Sequence, residues 1–281
     1  MPSIKKNLPP IITPINEDLL YFETHERSTI DAWVLLVHGA GGSTRTWKKQ
    51  IEQLGVHYNL LIIDLPGHGK NARNSDQFPN YSFLFMADKI WEIIDHLKIH
   101  KIHIIGVSLG TIICLQMRHL RPDRILSVIM PGAIVKINTK LKILASLSLA
   151  LAKIIGYRSF YKLTASIMLP RKNHKKSRDI FIKESQALSL IEFKKWTALY
   201  YNLNKTLLDF FDTQSPIPHL LIMGSQDHLF LEPARDYAIH HNNAQLKVIP
   251  DCGHVVSIES AQKFNSICLK FLKSLSPCVS V

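Results

Sequence analysis

The chain has 281 residues, and its 34 Lys and Arg against 22 Asp and Glu give a formal net charge of +12 at pH 7. Apolar side chains make up 46% of the sequence, a composition typical of globular proteins that excludes a disordered chain. None of the four cysteines forms a C-x-x-C pair, so a disulfide framework and a zinc site are both disfavoured.

The N-terminal segment and the longest apolar run carry no signal for export or membrane insertion. The opening sequence MPSIKKNLPPIITP contains four prolines and lacks the continuous apolar stretch of a secretory signal. The run Ile143–Ile155 includes serines and Lys153 and is shorter than the roughly 20 residues that a membrane span needs. We therefore expect a cytoplasmic protein without a transmembrane segment.

Short apolar strands alternate with helix-length segments along the chain, the pattern of a parallel sheet flanked by helices. Several of the predicted strands, such as VLLVH and LLIID, are almost wholly apolar, as expected of strands covered on both faces. Ser43 is the predicted N-cap of the first helix. The predicted strands are Asp18–Phe22, Trp33–His38, Asn59–Asp64, Lys101–Gly106, Leu126–Met130, His219–Met223 and Leu246–Pro250, and the predicted helices are Thr44–Leu54, Ser82–Leu97, Leu109–Leu120, Pro233–His240 and Ser260–Ser274.

One connection is much longer than a crossover helix requires. The 88 residues from Pro131 to Pro218 separate two predicted core strands, and this stretch has helical spacing with little strand character. We predict a helical cap subdomain at residues 136–212, inserted into a core formed by residues 1–135 and 213–281. The basic run Arg171–Arg178 lies within the predicted cap.

The most informative local sequence is Gly106-Val107-Ser108-Leu109-Gly110, which joins an apolar strand to a helical pattern. A G-x-S-x-G sequence in that context predicts a nucleophile elbow, in which a tight turn presents the Ser108 hydroxyl to a base. The glycines are required because a Cβ atom at either position would collide with the neighbouring turn.

A serine nucleophile needs a general base and a group that orients the base. Asp227 follows the strand that ends at Met223, and His254 follows the strand that ends at Pro250. Open α/β sheets place their sites beyond the carboxyl ends of the strands, and Ser108, Asp227 and His254 all lie there. The sequence therefore predicts a Ser108–His254–Asp227 triad.

A glycine-rich turn, His38-Gly39-Ala40-Gly41-Gly42, follows the second predicted strand. Acyl transfer needs preorganised N–H donors for the oxyanion, and we assign them to the backbone amides of Ala40 and Leu109. Gly39 and Gly41 are predicted to contact the substrate, together with cap residues that the sequence does not identify. The turn lacks the G-x-x-x-x-G-K-[ST] pattern of a phosphate loop.

Taken together, these motifs resemble the α/β-hydrolase family, in particular compact bacterial serine esterases with a helical cap. The layout is similar to that of carboxylesterases and pimeloyl-carrier-protein methyl ester esterases. The motifs span nearly the whole chain: HGAGGS from His38, DLPGHG from Asp64, GVSLG from Gly106, GSQD from Gly224 and GH at Gly253. The resemblance implies a mostly parallel eight-stranded sheet, a cap after the sixth strand, a Ser-His-Asp triad and neither cofactor nor metal.

Two departures from the family pattern affect the site. Ala40 stands where many members carry a bulky aromatic side chain, which leaves more room beside the oxyanion hole. No carboxylate lies in Pro131–Val135, where some relatives place the triad acid, and this favours Asp227.

Several other polar residues invite a functional interpretation. Asp251, Asp209 and Asp212 compete with Asp227 for the role of triad acid. His228 is better interpreted as a loop or lid contact than as a catalytic group. We interpret His38 and Asp64, at strand ends, as mainly structural.

The leading hypothesis is a serine hydrolase of carboxylic esters or thioesters, with a hydrophobic acyl group under the cap. A carbon–carbon bond hydrolase, a lyase-type synthase or a perhydrolase on the same triad stays open, as does a non-catalytic binding protein on this scaffold. A membrane-surface protein is a further alternative. Haloalkane dehalogenase and epoxide hydrolase activities are disfavoured, because those relatives carry Asp where Ser108 stands.

The basic run Arg171–Arg178 is either a solvated loop or a docking site for an acidic partner such as an acyl carrier protein. Nucleic acid is disfavoured, because no nucleic-acid-binding module accompanies the charge.

Overall fold

The computed structural model describes residues 19–275, except for 28, 74–77, 79, 138–140, 144–146, 148–150 and 152–153. Seven strands of this part of the chain form one sheet in the order β1-β3-β2-β4-β5-β6-β7. The strands are β1 (Phe22–His25), β2 (Trp33–Val37), β3 (Asn59–Ile63), β4 (Ile102–Gly106), β5 (Ile125–Pro131), β6 (His219–Gly224) and β7 (Ala244–Ile249).

Strands β2 to β7 pair in parallel, and only β1 runs antiparallel, against β3. Helices connect the parallel strands and cover both faces of the sheet. They are α1 (Lys48–Leu54), α2 (Phe83–His96), α3 (Leu109–Leu120), α4 (Tyr157–Met168), α5 (Lys175–Ser185), α6 (Leu190–Ala198), α7 (Tyr200–Asp212), α8 (Leu231–His240), α9 (Val256–Glu259) and α10 (Ala261–Leu275).

Successive side chains of a strand point to opposite faces, so an all-apolar strand contributes to two cores. Leu35 of β2 packs in a core that includes Trp91 of α2, whereas the next residue, Leu36, packs in a second core with Trp47 and with Phe264 of α10. All five side chains are almost fully buried. This double coverage explains the nearly continuous apolar sequences of the central strands.

The mostly parallel sheet flanked by helices agrees with the prediction, but its strand count differs. The described residues contain seven strands rather than eight, and the long insertion follows the fifth rather than the sixth. The predicted first strand, Asp18–Phe22, is wrong in position: Asp18 lies outside the described residues and the paired strand is Phe22–His25. An edge strand pairs on one side only, so its sequence lacks the apolar run that marks the central strands.

The insertion between β5 and β6 contains four complete helices in the described part, α4 to α7. We refer to its described residues between 141 and 212 as the helical insertion. Several apolar side chains near its start face solvent, with Leu147 65% and Ile154 82% exposed. No helix of the described chain combines the length and apolar character that a membrane span requires.

The predicted helix Thr44–Leu54 begins instead as a 3-10 turn at Thr44–Trp47 and continues as α1. Ser43 precedes the turn but forms no capping hydrogen bond, because its hydroxyl donates to Glu184 of the insertion. The backbone amide of Thr44 donates instead to the carboxylate of Asp64, at 2.7 Å. A distant carboxylate thus takes the place of the local cap.

Candidate functional site

Ser108 lies on a sharp turn between the end of β4 and the start of α3. Its φ of 53° and ψ of −114° are outside the regions that L-residues ordinarily adopt. A Cβ atom at Gly106 would overlap the carbonyl oxygen of Gly110, and one at Gly110 would lie 2.6 Å from the carbonyl oxygen of Val37. Only glycines at these positions let the strand, turn and helix approach closely enough to hold Ser108 in this conformation.

The structure brings together Ser108, His254 and Asp227, three residues that are far apart in the sequence. Nε2 of His254 lies 2.9 Å from Oγ of Ser108, and its Nδ1 lies 2.7 Å from Oδ2 of Asp227. A carboxylate can only accept hydrogen bonds, so Nδ1 of the imidazole donates and Nε2 is the acceptor for the Ser108 hydroxyl.

Asp227 is held as a buried carboxylate. Burial acts to raise its pKa, but the charge and hydrogen bond of His254, with the backbone amides of Phe230 and Leu229, outweigh burial and hold the pKa below its usual value. The two amides donate to Oδ1, which leaves Oδ2 for the imidazole. The acid is therefore ionised and fixed in orientation at neutral pH.

Two buried histidines shape the glycine-rich turn after β2. Nδ1 of His38 donates to the Gly39 carbonyl while its Nε2 accepts from the Leu65 amide, and Nε2 of His68 accepts from the Gly41 amide. Burial lowers the pKa of His38 to about 4 and that of His68 to about 3, so both imidazoles are neutral. His38 thus holds the loop conformation, in agreement with the structural interpretation.

Asp64 also acts on the backbone. Its two carboxylate oxygens accept from the amides of Thr44 and Lys70 at 2.7 and 2.8 Å. Burial raises its pKa to about 6, although these hydrogen bonds act in the opposite direction. Asp64 thus links the loop after β3 to the turn before α1. These contacts agree with the interpretation of Asp64 as mainly structural.

The backbone amides of Ala40 and Leu109, the predicted oxyanion donors, belong to the glycine-rich turn after β2 and to the start of α3. Leu109 is the first residue of α3, where the amides lack intrahelical acceptors. Within the described residues neither amide donates to a protein acceptor. Both residues line cavities that reach Ser108.

The remaining candidates take no part in the hydrogen bonds that join Ser108, His254 and Asp227. His228, Asp251, Asp209 and Asp212 are exposed. Among the described residues no group of three or more His, Cys, Asp and Glu side chains is arranged to bind a metal ion.

A family model described as alpha/beta hydrolase fold matches residues 32–261, which is most of the chain. The chain belongs to the α/β-hydrolase fold family. RutD of Stutzerimonas stutzeri (strain A1501), a protein named as a carbamate hydrolase, is 26% identical over 260 residues that cover 90% of this chain and 96% of RutD.

Solved structures of the same fold superimpose well on this α/β hydrolase. The esterase EaEST from Exiguobacterium antarcticum has a TM-score of 0.76 at 19% identity, covering 90% of this chain and 95% of the esterase. The enol-lactonase from Burkholderia xenovorans LB400 has a TM-score of 0.74 at 19% identity, covering 90% and 96% of the two chains. These three proteins carry hydrolase names, and the substrates in those names differ.

Two cavities of this α/β hydrolase meet at Ser108. The large cavity, with about 1220 Å³ of space including its mouth, extends into the helical insertion and is mostly apolar. The small cavity, with about 650 Å³, lies between the glycine-rich turn, α5 and the His254 loop. Ala40, Met168 and Phe181 line both cavities, so the small side chain of Ala40 stands at their junction.

The group that holds the His254 loop is not among the predicted site residues. Glu259, in the short helix α9, accepts hydrogen bonds from the amides of Gly253 and Val255, the two neighbours of His254. His174 of the insertion is fully buried beside this loop and contacts Gln226, the residue before Asp227, at 2.8 Å. In the sequence, the position of Glu259 five residues after His254 was the one feature that could have indicated its contact with the loop. No sequence pattern around His174 indicated its contact with this loop.

The basic run 171–178 is partly structural. The guanidinium of Arg178 donates to the carbonyl oxygens of Leu169 and Arg171, and Lys175 pairs with Asp179. The side chains of Lys172 and Lys176 are exposed. Most of the charge of the run therefore lies on its solvent side.

Proposed function

We propose that this α/β hydrolase is a serine hydrolase that cleaves a carboxylic ester or thioester through an acyl-enzyme. The observation that carries the proposal is the continuous hydrogen-bond chain from Ser108 through His254 to the ionised Asp227. Ser108, His254 and Asp227 form the catalytic triad in this proposal. The hydrolase names of the relatives support the same reaction class.

In the first half-reaction, the Ser108 oxygen attacks the carbonyl carbon while Nε2 of His254 takes the hydroxyl proton. Asp227 stabilises the resulting imidazolium through its 2.7 Å contact with Nδ1. The imidazolium then gives the proton to the leaving alcohol or thiol as the carbon–heteroatom bond breaks. In the second half-reaction, His254 activates a water molecule, which releases the acid and regenerates Ser108.

The backbone amides of Ala40 and Leu109 stabilise the oxyanion in this mechanism. The loop bearing Ala40 is fixed by the neutral imidazoles of His38 and His68, so its donor is positioned before the substrate arrives. The Leu109 amide adds the favourable end of the α3 dipole. Gly39 and Gly41, which line the small cavity, border the substrate.

Residues 136–212 act as a cap in this proposal. The large cavity is lined on the insertion side by apolar and aromatic side chains, including Phe160, Tyr161 and Phe193. Such a lining suits a hydrophobic acyl group, because burial of apolar surface drives its binding.

The proposal is tested with a fluorophosphonate probe and p-nitrophenyl esters from acetate to dodecanoate, on the wild-type protein and on Ser108→Ala. We expect stoichiometric labelling of the wild type, an optimum at a medium or long acyl chain, and at least a 10³-fold loss of turnover in the variant. Equal labelling or turnover of both proteins would exclude the mechanism. Labelling without ester hydrolysis would favour a carbon–carbon bond as the substrate.

A further inference from the structure

The two cavities at Ser108 differ in which part of the reacting centre they contact. His254 lines the small cavity and is absent from the lining of the large one, whereas Leu109 lines only the large cavity. Under the proposed function, the imidazolium of His254 must reach the oxygen of the departing alcohol. The alcohol half of an ester therefore lies in the small cavity, and the acyl half in the apolar large cavity.

Helix α5 presents two polar side chains to the small cavity. Ser177 and Glu184 are seven residues apart, a spacing that places them on one face of a helix about 10 Å apart. Ile180 and Phe181 line the cavity between them. The wall thus has a polar group at each end and an apolar centre.

The Ser177 hydroxyl is buried without a protein partner. The residue is 1% exposed, and its Oγ forms no hydrogen bond with the described residues. Trp47 lines the same cavity, and its indole Nε1 is likewise buried without an acceptor in the described part of the chain. A buried hydroxyl left unpaired is destabilising, and a hydrogen-bonding ligand removes that destabilisation.

Glu184 offers a carboxylate oxygen to the cavity. Its Oε2 accepts from the Ser43 hydroxyl at 2.8 Å and from the Arg45 guanidinium at 2.9 Å. Its Oε1 accepts no hydrogen bond from the described residues and is the acceptor left for a ligand. Because Arg45 already balances the negative charge, this arrangement suits a neutral hydroxyl better than a cation.

We propose that the small cavity is a subsite for a short polyhydroxylated alcohol, and that Ser177 and Glu184 determine specificity for it. Esters of a hydrophobic acid with a neutral, glycerol-like alcohol are then the preferred substrate class. The alcohol hydroxyls pair with Ser177 Oγ and Glu184 Oε1 while the acyl chain fills the large cavity. This inference rests on the proposed function, because it assigns the alcohol side from the role of His254.

The test compares 1-octanoylglycerol with propyl octanoate, whose alcohols share three carbons and differ only in two hydroxyls. Both esters form the same octanoyl-enzyme, so the ratio of their kcat/KM values reports on the alcohol half alone. We expect a wild-type preference for the glycerol ester of about tenfold or more. Ser177→Ala and Glu184→Gln should each reduce the ratio about 3- to 10-fold.

Ser166→Ala is the matched control, because Ser166 is an exposed serine of neighbouring α4 and lies outside both cavities. It should keep the wild-type ratio. A wild-type ratio near one, or a ratio that neither α5 variant changes, would overturn the subsite. Ser108-dependent labelling and hydrolysis of p-nitrophenyl octanoate are measured in parallel. If both are present, such a ratio overturns the subsite alone. If both are absent, the proposed function fails and the subsite fails with it.

Discussion

Ser108 adopts a left-handed backbone conformation that the surrounding glycines make accessible. A strained backbone conformation of this kind persists when the surrounding packing holds the residue in place. Here the close approach of Gly110 to the carbonyl of Val37 does so. The gain is a partly buried hydroxyl, lining both cavities, that is held 2.9 Å from Nε2 of His254. At this scale the proposed chemistry depends on orientation, since each member of the triad has its hydrogen-bond direction imposed by a neighbour.

Asp227→Asn tests the orienting role of the acid. An amide at this position can present its NH₂ group to Nδ1 and favour the wrong imidazole tautomer, so Nε2 would carry the hydrogen and no longer accept from Ser108. We expect kcat for p-nitrophenyl esters to fall by about 10³- to 10⁴-fold with little change in KM. Asp209→Asn, at an exposed carboxylate of α7, is the control. A loss of less than tenfold in Asp227→Asn would argue against this role.

The insertion is joined to the core through buried polar contacts as well as apolar packing. Glu192 of α6 is fully buried and accepts from the Tyr81 hydroxyl, and it pairs with Lys195 at 3.3 Å. Lys195 also donates to the Phe78 carbonyl, and Trp196 donates to the Pro66 carbonyl. These contacts fix α6 beside the large cavity, of which Trp196 forms one wall.

Tyr81→Phe removes one partner of a buried carboxylate. Burial, followed by the contact with Glu192, raises the pKa of Tyr81 above its usual value, so the phenol remains protonated and donates. We expect its loss to lower the free energy of unfolding by about 1–3 kcal/mol in urea denaturation, because Glu192 keeps a desolvated charge with fewer donors.

Tyr157→Phe provides the comparison for this variant, because among the described residues the Tyr157 hydroxyl forms its one hydrogen bond with the side chain of Arg158, in an exposed setting. It should change the free energy of unfolding by less than about 0.5 kcal/mol. Equal stability of Tyr81→Phe and the wild type would show that the contact with Glu192 makes no net contribution to the free energy of unfolding.

For the whole molecule, buried neutral histidines link stability to pH. Burial lowers the pKa of His38 and His103 to about 4 and that of His68 and His219 to about 3. Below pH 6.5 the unfolded chain binds protons at these sites while the native protein does not, so stability falls as pH decreases from 6.5 toward 4. Asp64, whose pKa is raised to about 6, acts in the opposite direction between pH 6 and 4.

The drop in unfolding free energy between pH 7.5 and 5.0 should therefore be several kcal/mol, with about 2 kcal/mol from each of the four histidines and a partial offset from Asp64. His103→Gln removes one titrating group and keeps an acceptor for the Ser127 hydroxyl. We expect its pH-dependent drop to be about 2 kcal/mol smaller than that of the wild type.

Urea titrations at the two pH values measure this difference, and any constant cost of the substitution cancels. His228→Gln, at an exposed position, is the control and should keep the wild-type drop. An identical drop in His103→Gln would contradict the linkage.

The surface charge of the molecule leaves the docking prediction open. Lys172 and Lys176 are exposed on the insertion, whereas Arg178 and Lys175 of the same run are engaged in contacts within the chain. An acidic acyl carrier protein at this surface therefore stays a prediction, as does the alternative of a solvated loop.

The sequence by itself determined the parallel sheet, the helical insertion and the three residues of the proposed triad. Strand periodicity and the G-x-S-x-G turn are local patterns, because they depend on backbone conformation within a few residues. The sequence also indicated that His38 and Asp64 are mainly structural, through the family resemblance together with their positions at strand ends.

Only the tertiary structure decided which carboxylates meet which partners. Glu184 pairs with Ser43 across 141 positions, and Glu192 meets Tyr81 across 111. The helical pattern around each glutamate is compatible with an exposed face, so nothing local distinguishes these residues from solvated ones. Packing of the insertion on the sheet creates both cavities, and with them the arrangement of Ser177 and Glu184 on which the proposed alcohol subsite depends.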